Sequence, residues 1–154
     1  MESGRILFVG QRVAVLLAGL AIAVNGLTWL NIALTPVAVV CFLFVFPLFA
    51  GGLISYLIKA SPQTRGRGWG AQNQIGRQIW NRILDGLSRS QRIGAGVFVA
   101  YVFVNFFGTF AATSGSRENL MDAALQVRLI TGHAALFLLV AAGLFRASRR
   151  LAKV

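Results

Sequence analysis

The side chain with the clearest chemical potential is that of His133, the only histidine of the chain. It lies inside a long apolar run, where an ionisable group is costly unless it is neutral, paired or facing water. An imidazole in such a setting can move protons, bind a small molecule or ligate a metal ion. We therefore expect His133 to be either a functional residue or a polar contact between helices.

Polar side chains in two other apolar runs lie at a predicted depth similar to that of His133. At about 1.5 Å of helix rise per residue, Asn25, Asn105 and His133 all fall within about 5 Å of the bilayer midplane, on one side of it. Three threonines lie slightly farther out: Thr28, Thr109 and Thr131. Each asparagine shares a helix face with the threonine three or four residues after it. Three helices thus offer polar groups at one level.

Two interpretations of this predicted polar layer remain open. In the first, its members bond across helices and fix the bundle, each bond contributing about 0.6 kcal/mol. In the second, they line a polar cavity for a small molecule, an ion or a proton. Charged residues of the neighbouring loop would stand at the cavity mouth or be solvated: Arg117, Glu118, Asp122 and Arg128.

A haem group is a further alternative for His133, although no cofactor is the simpler expectation. Membrane haems of the b type usually have two axial ligands, and this chain supplies one histidine. The haem would have to lie between protomers or be shared with a partner subunit. The phenylalanine-rich runs would then line the porphyrin, although such residues more often face lipid or the protein core.

No catalytic set and no metal site is predicted. The four acidic residues (Glu2, Asp85, Glu118 and Asp122) all lie outside the apolar runs, so the carboxylate relay of proton-driven transporters is missing. Nucleophilic catalysis needs an activated side chain beside a base, and no such pairing is evident. A zinc site would need several nitrogen or sulfur ligands. The sequence leans towards a protein that is not an enzyme.

The elements that must position these residues are four apolar runs. Hydrophobic residues make up 56% of the 154 residues and charged ones 12%, against about 25% charged in a soluble domain. Each run has the roughly 20 residues that a helix needs to cross a bilayer. The predicted spans are 13–34, 37–58, 93–112 and 125–145, with a short turn at 31–36. The fold class is therefore all-α: a polytopic four-helix transmembrane bundle forming one integral membrane domain, 1–154.

The charge is distributed unevenly between the connections. Segments 1–12, 59–92 and 146–154 together carry the whole formal net charge of +11, while the other two connections are neutral overall. This alternation is the positive-inside pattern. It predicts cytoplasmic termini and a cytoplasmic basic loop at 59–92. The preference for arginine over lysine favours a bacterial source, and hence the bacterial cytoplasmic membrane.

The second half of the basic loop has the pattern of an amphipathic helix that lies on the membrane surface. Its apolar half contains Ile79, Ile83 and Leu87, and its other half is polar and basic. The residues predicted to contact anionic lipid headgroups are Arg77, Arg82, Arg89, Arg92 and Trp80. A single Arg-Gly-Arg-Gly-Trp run is too short to predict nucleic-acid binding, so no nucleic-acid partner is expected.

Small residues spaced four apart predict close helix packing: Gly19 with Ala23, Gly51 with Ser55, and Gly96 with Ala100. The leading hypothesis is a non-enzymatic accessory or assembly subunit of a larger membrane complex, whose partners are anionic lipids and other membrane subunits or its own copies. The first alternative is a small oligomeric transporter or channel using the polar layer. The second is a redox subunit contacting haem or quinone.

Overall fold

The computed structural model describes residues 2–64, 80–85, 87–113 and 123–152. The predicted headgroup contact at Arg77 lies outside these residues, as do Glu118 and Asp122 of the loop near the polar layer. Thr109 belongs to a described helix, but its side chain is outside the description.

Four long helices account for most of the described chain. Their bounds are Glu2–Leu27 (α1), Thr35–Thr64 (α2), Arg89–Thr113 (α3) and Ala123–Leu151 (α4). Each contains a stretch that is long and apolar enough to cross a bilayer, and the described residues contain no strand. The predicted all-α fold with four membrane spans is therefore confirmed.

The helices extend beyond the predicted spans at the polar ends. α1 begins at Glu2 and α4 continues to Leu151, whereas the predicted spans began at residue 13 and ended at residue 145. Residues 61–64, predicted as loop, continue α2. Apolar runs mark where lipid begins, but the backbone hydrogen bonds of a helix do not require lipid and can continue beyond the apolar run.

The turn between α1 and α2 is short, as predicted. A 3₁₀ turn at Thr28–Leu30 follows α1, and Asn31 adopts a left-handed conformation with φ 57°, which asparagine tolerates better than most residues. The Asn31 amide donates to the Thr28 carbonyl at 3.2 Å. α2 then begins at Thr35, and Pro36 lies in its first turn. Proline is tolerated there because the backbone N–H that it lacks would have no acceptor within the helix.

The bundle has two ends, which we name by their contents. The hairpin end holds the α1–α2 turn and the start of α4, and the terminal end holds the start of α1 and the end of α4. α4 runs antiparallel to α1, because Asn25 meets Thr131 near one end and Gln11 meets Arg149 near the other. α4 runs parallel to α2, because Ala38 packs with Val127 and Tyr56 with Ala147.

The core is a seam of small side chains between α4 and its two neighbours. Buried positions of α4 recur every three or four residues: Ala124, Val127, Thr131, Ala134, Leu138, Ala141, Phe145 and Ser148. The buried positions of α1 and of the turn after it have the same period: Leu7, Ala14, Ala18, Ala21, Asn25 and Thr28. A repeat of 3.5 residues keeps one face of each helix on its partner, as in left-handed helical bundles. The alanines let the backbones approach closely.

The small-residue pairs predicted to mediate packing are mostly on other faces. A Cβ at Gly19 or Gly96 would meet no described heavy atom within 4 Å, whereas one at Gly51 would lie 3.7 Å from the Phe145 ring. Within the described chain, the pairs that contain Gly19 and Gly96 therefore do not mediate helix contacts. Glycine and alanine are so frequent in apolar runs that spacing alone does not identify the packed face.

α3 packs far less than the other spans. In its apolar window 6% of the residues are buried within the bundle, against 50% in α4. Of the α3 side chains that the structure describes, only Val102 is buried. The core is therefore a three-helix unit of α1, α2 and α4, with α3 attached at one side.

A short segment of the basic loop docks on the terminal end of this core. Residues 80–84 are helical, and Ile83 is buried in a cluster with Tyr56, Leu144 and Ala147. Ile83 fits where Gly143 has no side chain, since a Cβ there would lie 2.6 Å from Ile83 Cγ2. This part of the predicted surface helix thus places Ile83 against protein, while Trp80 remains 51% exposed.

Candidate functional site

A polar network joins three helices near the hairpin end, and Asn25 is at its centre. The Asn25 Nδ2 group donates to the Arg128 carbonyl at 2.7 Å and to Thr131 Oγ1 at 3.1 Å. Asn25 Oδ1 accepts from the Tyr101 hydroxyl at 2.7 Å. One α1 side chain therefore links that helix to α4 and to α3. Asparagine suits this position because its amide offers both donors and acceptors.

Arg128 caps the C-terminal end of α1. Its Nε donates to Thr28 Oγ1 and its Nη2 to the Thr28 carbonyl, each at 3.0 Å. The guanidinium carbon also lies 3.8 Å from the centroid of the Trp29 ring. A cation is favourable here because the last carbonyls of a helix carry partial negative charge, and the aromatic face adds a cation–π interaction.

The network closes through the aromatic residues, and its central side chains are buried. Trp29 Nε1 donates to the Tyr101 hydroxyl at 3.0 Å, so that hydroxyl accepts one bond and donates another. Asn25 is 5% exposed, and Thr28 and Thr131 are fully buried. The Thr131 hydroxyl donates to the Val127 carbonyl at 2.6 Å. These groups bond to one another and to backbone, an arrangement that holds helices together.

His133 stands apart from this network. Its Nδ1 lies 2.8 Å from the Leu129 carbonyl oxygen. A carbonyl can only accept, so Nδ1 carries the hydrogen and Nε2 of the neutral ring keeps its lone pair. The ring meets Phe106 edge to face, with centroids 5.3 Å apart. His133 is half-buried, and its Nε2 is the nitrogen that remains for a ligand.

Asn105 does not join the network either. Its Nδ2 is buried and has no hydrogen-bond partner among the described residues. The polar residue of α3 that bonds to Asn25 is Tyr101, one turn earlier. Of the predicted layer, the structure thus brings together Asn25, Thr28 and Thr131, and leaves His133 and Asn105 outside their hydrogen bonds.

Two members of the network, Tyr101 and Trp29, were not predicted as site residues, although Tyr101 is the only tyrosine of the third apolar run. Arg128 was predicted to stand at the mouth of a cavity or to be solvated, not to bond with Thr28. Their partners belong to distant parts of the chain, so spacing along the sequence could not pair them.

The described residues hold no group of three or more metal-binding side chains. Cys41 is buried in α2, and its thiol lies 3.9 Å from the Leu17 carbonyl. The predicted headgroup contacts Trp80, Arg82, Arg89 and Arg92 are all exposed. Compared with known protein families, characterised proteins and solved structures, the chain shows no significant match to any of them.

Proposed function

We propose that this integral membrane protein is a non-enzymatic accessory or assembly subunit, which docks on a larger membrane complex through α3. The observation that carries the proposal is the contrast in packing between the helices. Half of the apolar window of α4 is buried within the bundle, against 6% of that of α3. Helices α1, α2 and α4 build the core, and most of the surface of α3 is left available to other molecules.

The side chains on the outer faces of α3 suit a protein contact. Val104 is 71% exposed, Phe107 61% and Phe103 54%, and the Phe103 and Phe107 rings lie stacked with centroids 6.3 Å apart. Large aromatic surfaces contribute strongly to protein interfaces. Lipid and protein can both cover such a surface, and crosslinking from it distinguishes the two.

The closed polar network supports a subunit role over the transporter or channel alternative. A solute pathway requires polar groups that are open to water. Asn25, Thr28 and Thr131 are instead buried and bonded to one another or to backbone. We expect no solute flux in proteoliposomes containing the purified protein, and flux that is lost in His133→Ala would favour the transporter.

Photo-crosslinking tests the docking surface. A photoreactive phenylalanine analogue is placed at Val104 or Phe107 in α3, or at Leu43 or Phe46 in α2 as matched controls that are 64% and 67% exposed. In native membranes we expect discrete protein adducts from the two α3 positions and only lipid adducts from α2. Lipid adducts alone from all four positions would overturn the proposal.

The arginine-rich ends support the proposed orientation, with both termini in the cytoplasm of a bacterial cell. A membrane-impermeant thiol reagent added to spheroplasts should label Asn31→Cys at the hairpin end and spare Ser90→Cys. Labelling of both positions from outside would contradict this topology. The native Cys41 is buried and should contribute little background.

A second candidate function is a redox subunit that contacts haem or quinone, and the orientation of His133 favours it. Because Nδ1 is bonded to the Leu129 carbonyl, Nε2 is the atom that would ligate a haem iron. A haem would supply one-electron chemistry and would need a second axial ligand from another subunit. A Soret band in the purified protein that disappears in His133→Ala supports this candidate, and a spectrum without that band removes its haem version.

A further inference from the structure

At the terminal end, two arginines from different helices share one aromatic ring. The guanidinium carbon of Arg12 lies 5.0 Å from the Phe8 ring centroid and that of Arg149 lies 4.8 Å from it, so the two carbons are no more than 9.8 Å apart. We infer that Arg12, Arg149 and Phe8 form a binding site for the phosphate of an anionic phospholipid. This inference is independent of the proposed subunit role.

The described partners of these two cations are neutral. Both contact the Phe8 ring, and Arg149 Nη1 also donates to Gln11 Oε1 at 2.9 Å. Among the acidic residues, only Asp85 has a side chain that the structure describes, since that of Glu2 at the start of α1 is outside the description. The Asp85 backbone carbonyl accepts from Arg150. Two like charges within 9.8 Å of each other repel, and the repulsion grows where little water screens it. An anion between or above them relieves that repulsion.

The depth of the pair matches the phosphate level of a bilayer. Arg128 and Arg149 lie 21 residues apart in one continuous helix, which corresponds to about 32 Å. The hydrocarbon core of a bilayer is about 30 Å thick. If Arg128 and the interfacial Trp29 mark the boundary at the hairpin end, Arg149 lies at the opposite boundary. Arg12 is brought to the same level by its contact with Phe8.

The chemistry of the pair favours a phosphate. Guanidinium groups present parallel N–H donors that match the geometry of phosphate oxygens. The aromatic ring limits the movement of both side chains, so less conformational entropy is lost when an anion binds. Phe8 is itself 40% exposed and offers an apolar surface to the glycerol and acyl portion of a lipid. A membrane lipid is therefore the source of phosphate that this location selects.

Native mass spectrometry of the purified full-length chain tests the site. The protein in mild detergent is mixed with phosphatidylglycerol or, separately, with phosphatidylcholine, and retained lipid is counted per chain. We expect one phosphatidylglycerol to be retained at least tenfold better than phosphatidylcholine. The R12Q/R149Q double variant should lose this preference, whereas R5Q/R150Q, which removes the same charge from exposed positions of α1 and α4, should keep it.

Other outcomes decide against the inference or define its source of phosphate. An equal loss in both double variants would mean general electrostatic attraction and would overturn the site. Competition by millimolar inorganic phosphate would assign it to free phosphate and overturn the lipid assignment. If R12Q/R149Q fails to fold, Phe8→Leu keeps both charges; a severalfold loss of retained phosphatidylglycerol is then expected, and unchanged retention would reject the shared-ring site.

Discussion

α3 and α4 are both apolar helices long enough to span a bilayer, yet the chain buries only one of them. Half of the α4 window is within the bundle, against 6% of that of α3. α4 presents small residues on its seam, for example Ala134 and Ala141, while α3 carries phenylalanines at positions such as 103 and 107. Lipid is as apolar as either surface, so hydrophobicity alone does not decide which helix is packed within the bundle. The close approach of helix backbones, which small side chains allow, decides it.

The same contrast holds for the two asparagines. Asn25 faces α4 and makes three hydrogen bonds with side chains or backbone of other helices. Asn105 lies on α3, and its Nδ2 has no partner among the described residues. Two asparagines in similar apolar surroundings therefore differ in how much they stabilise the bundle. Asn25 stabilises it because α1 is packed against α4, whereas Asn105 belongs to the sparsely packed α3.

The largest expected effect comes from filling the α4 seam. Ala135 is fully buried beside Ala18 and Leu138, and a leucine there would push the helices apart. Overpacking of this kind costs about 1–3 kcal/mol, and we expect Ala135→Leu to be at the upper end because Ala135 has no exposed surface. Unfolding in a graded series of denaturing detergent measures the loss.

The matched substitution on the other helix is Ala100→Leu in α3, where the side chain is exposed. Its free energy of unfolding should stay within about 0.5 kcal/mol of that of the unaltered protein. Equal destabilisation by the two substitutions would mean that α3 is packed as tightly as α4, and the comparison between the two helices would fail.

An intermediate effect is expected from the asparagines. Asn25→Ala removes three hydrogen bonds to other helices, and at about 0.6 kcal/mol each the free energy of unfolding should fall by about 2 kcal/mol. Asn105→Ala removes a buried donor without a partner and should leave stability unchanged or slightly higher. The same detergent titration checks both. A larger loss from Asn105→Ala would show that it holds a contact more important than those of Asn25.

Much of the fold was predictable from the sequence because lipid imposes simple requirements. Four runs of about 20 apolar residues require four helices, and Pro36 at the end of the short, uncharged turn marks the start of α2. The helix ends were less predictable. Residues such as Arg149 and Arg150 end the apolar run but not the helix, because arginine is a good helix former.

The polar site was predictable only in part. The helix rise per residue predicted that Asn25, Thr28 and Thr131 lie at similar depths in the membrane. The structure connects them through hydrogen bonds between Asn25 and Thr131 and between Thr28 and Asn25. Tyr101 and Asn105 lie four residues apart on one face of α3, and they differ in depth by about 6 Å. The axial position of α3 against α1 decides which of the two reaches Asn25. That position depends on packing between distant parts of the chain, which spacing along the sequence does not contain.

The smallest expected effect concerns the contact between α4 and residues 80–85. A Cβ in Gly143→Ala would lie 2.6 Å from Ile83 Cγ2, so the Ile83 side chain must move, and we expect its segment to shift with it and lose part of the burial of Ile83. A surface segment can move more easily than a core helix, and we expect a loss of about 1 kcal/mol. Hydrogen exchange should rise in residues 80–85 while α1 and α2 stay protected.

The control is Gly108→Ala in α3, where a Cβ meets no described heavy atom within 4 Å. This variant should change neither the stability of the protein nor the hydrogen exchange of residues 80–85. Unchanged exchange in Gly143→Ala would mean that Ile83 does not pack against Gly143. Residues 80–85 would then be held by the membrane surface and not by α4.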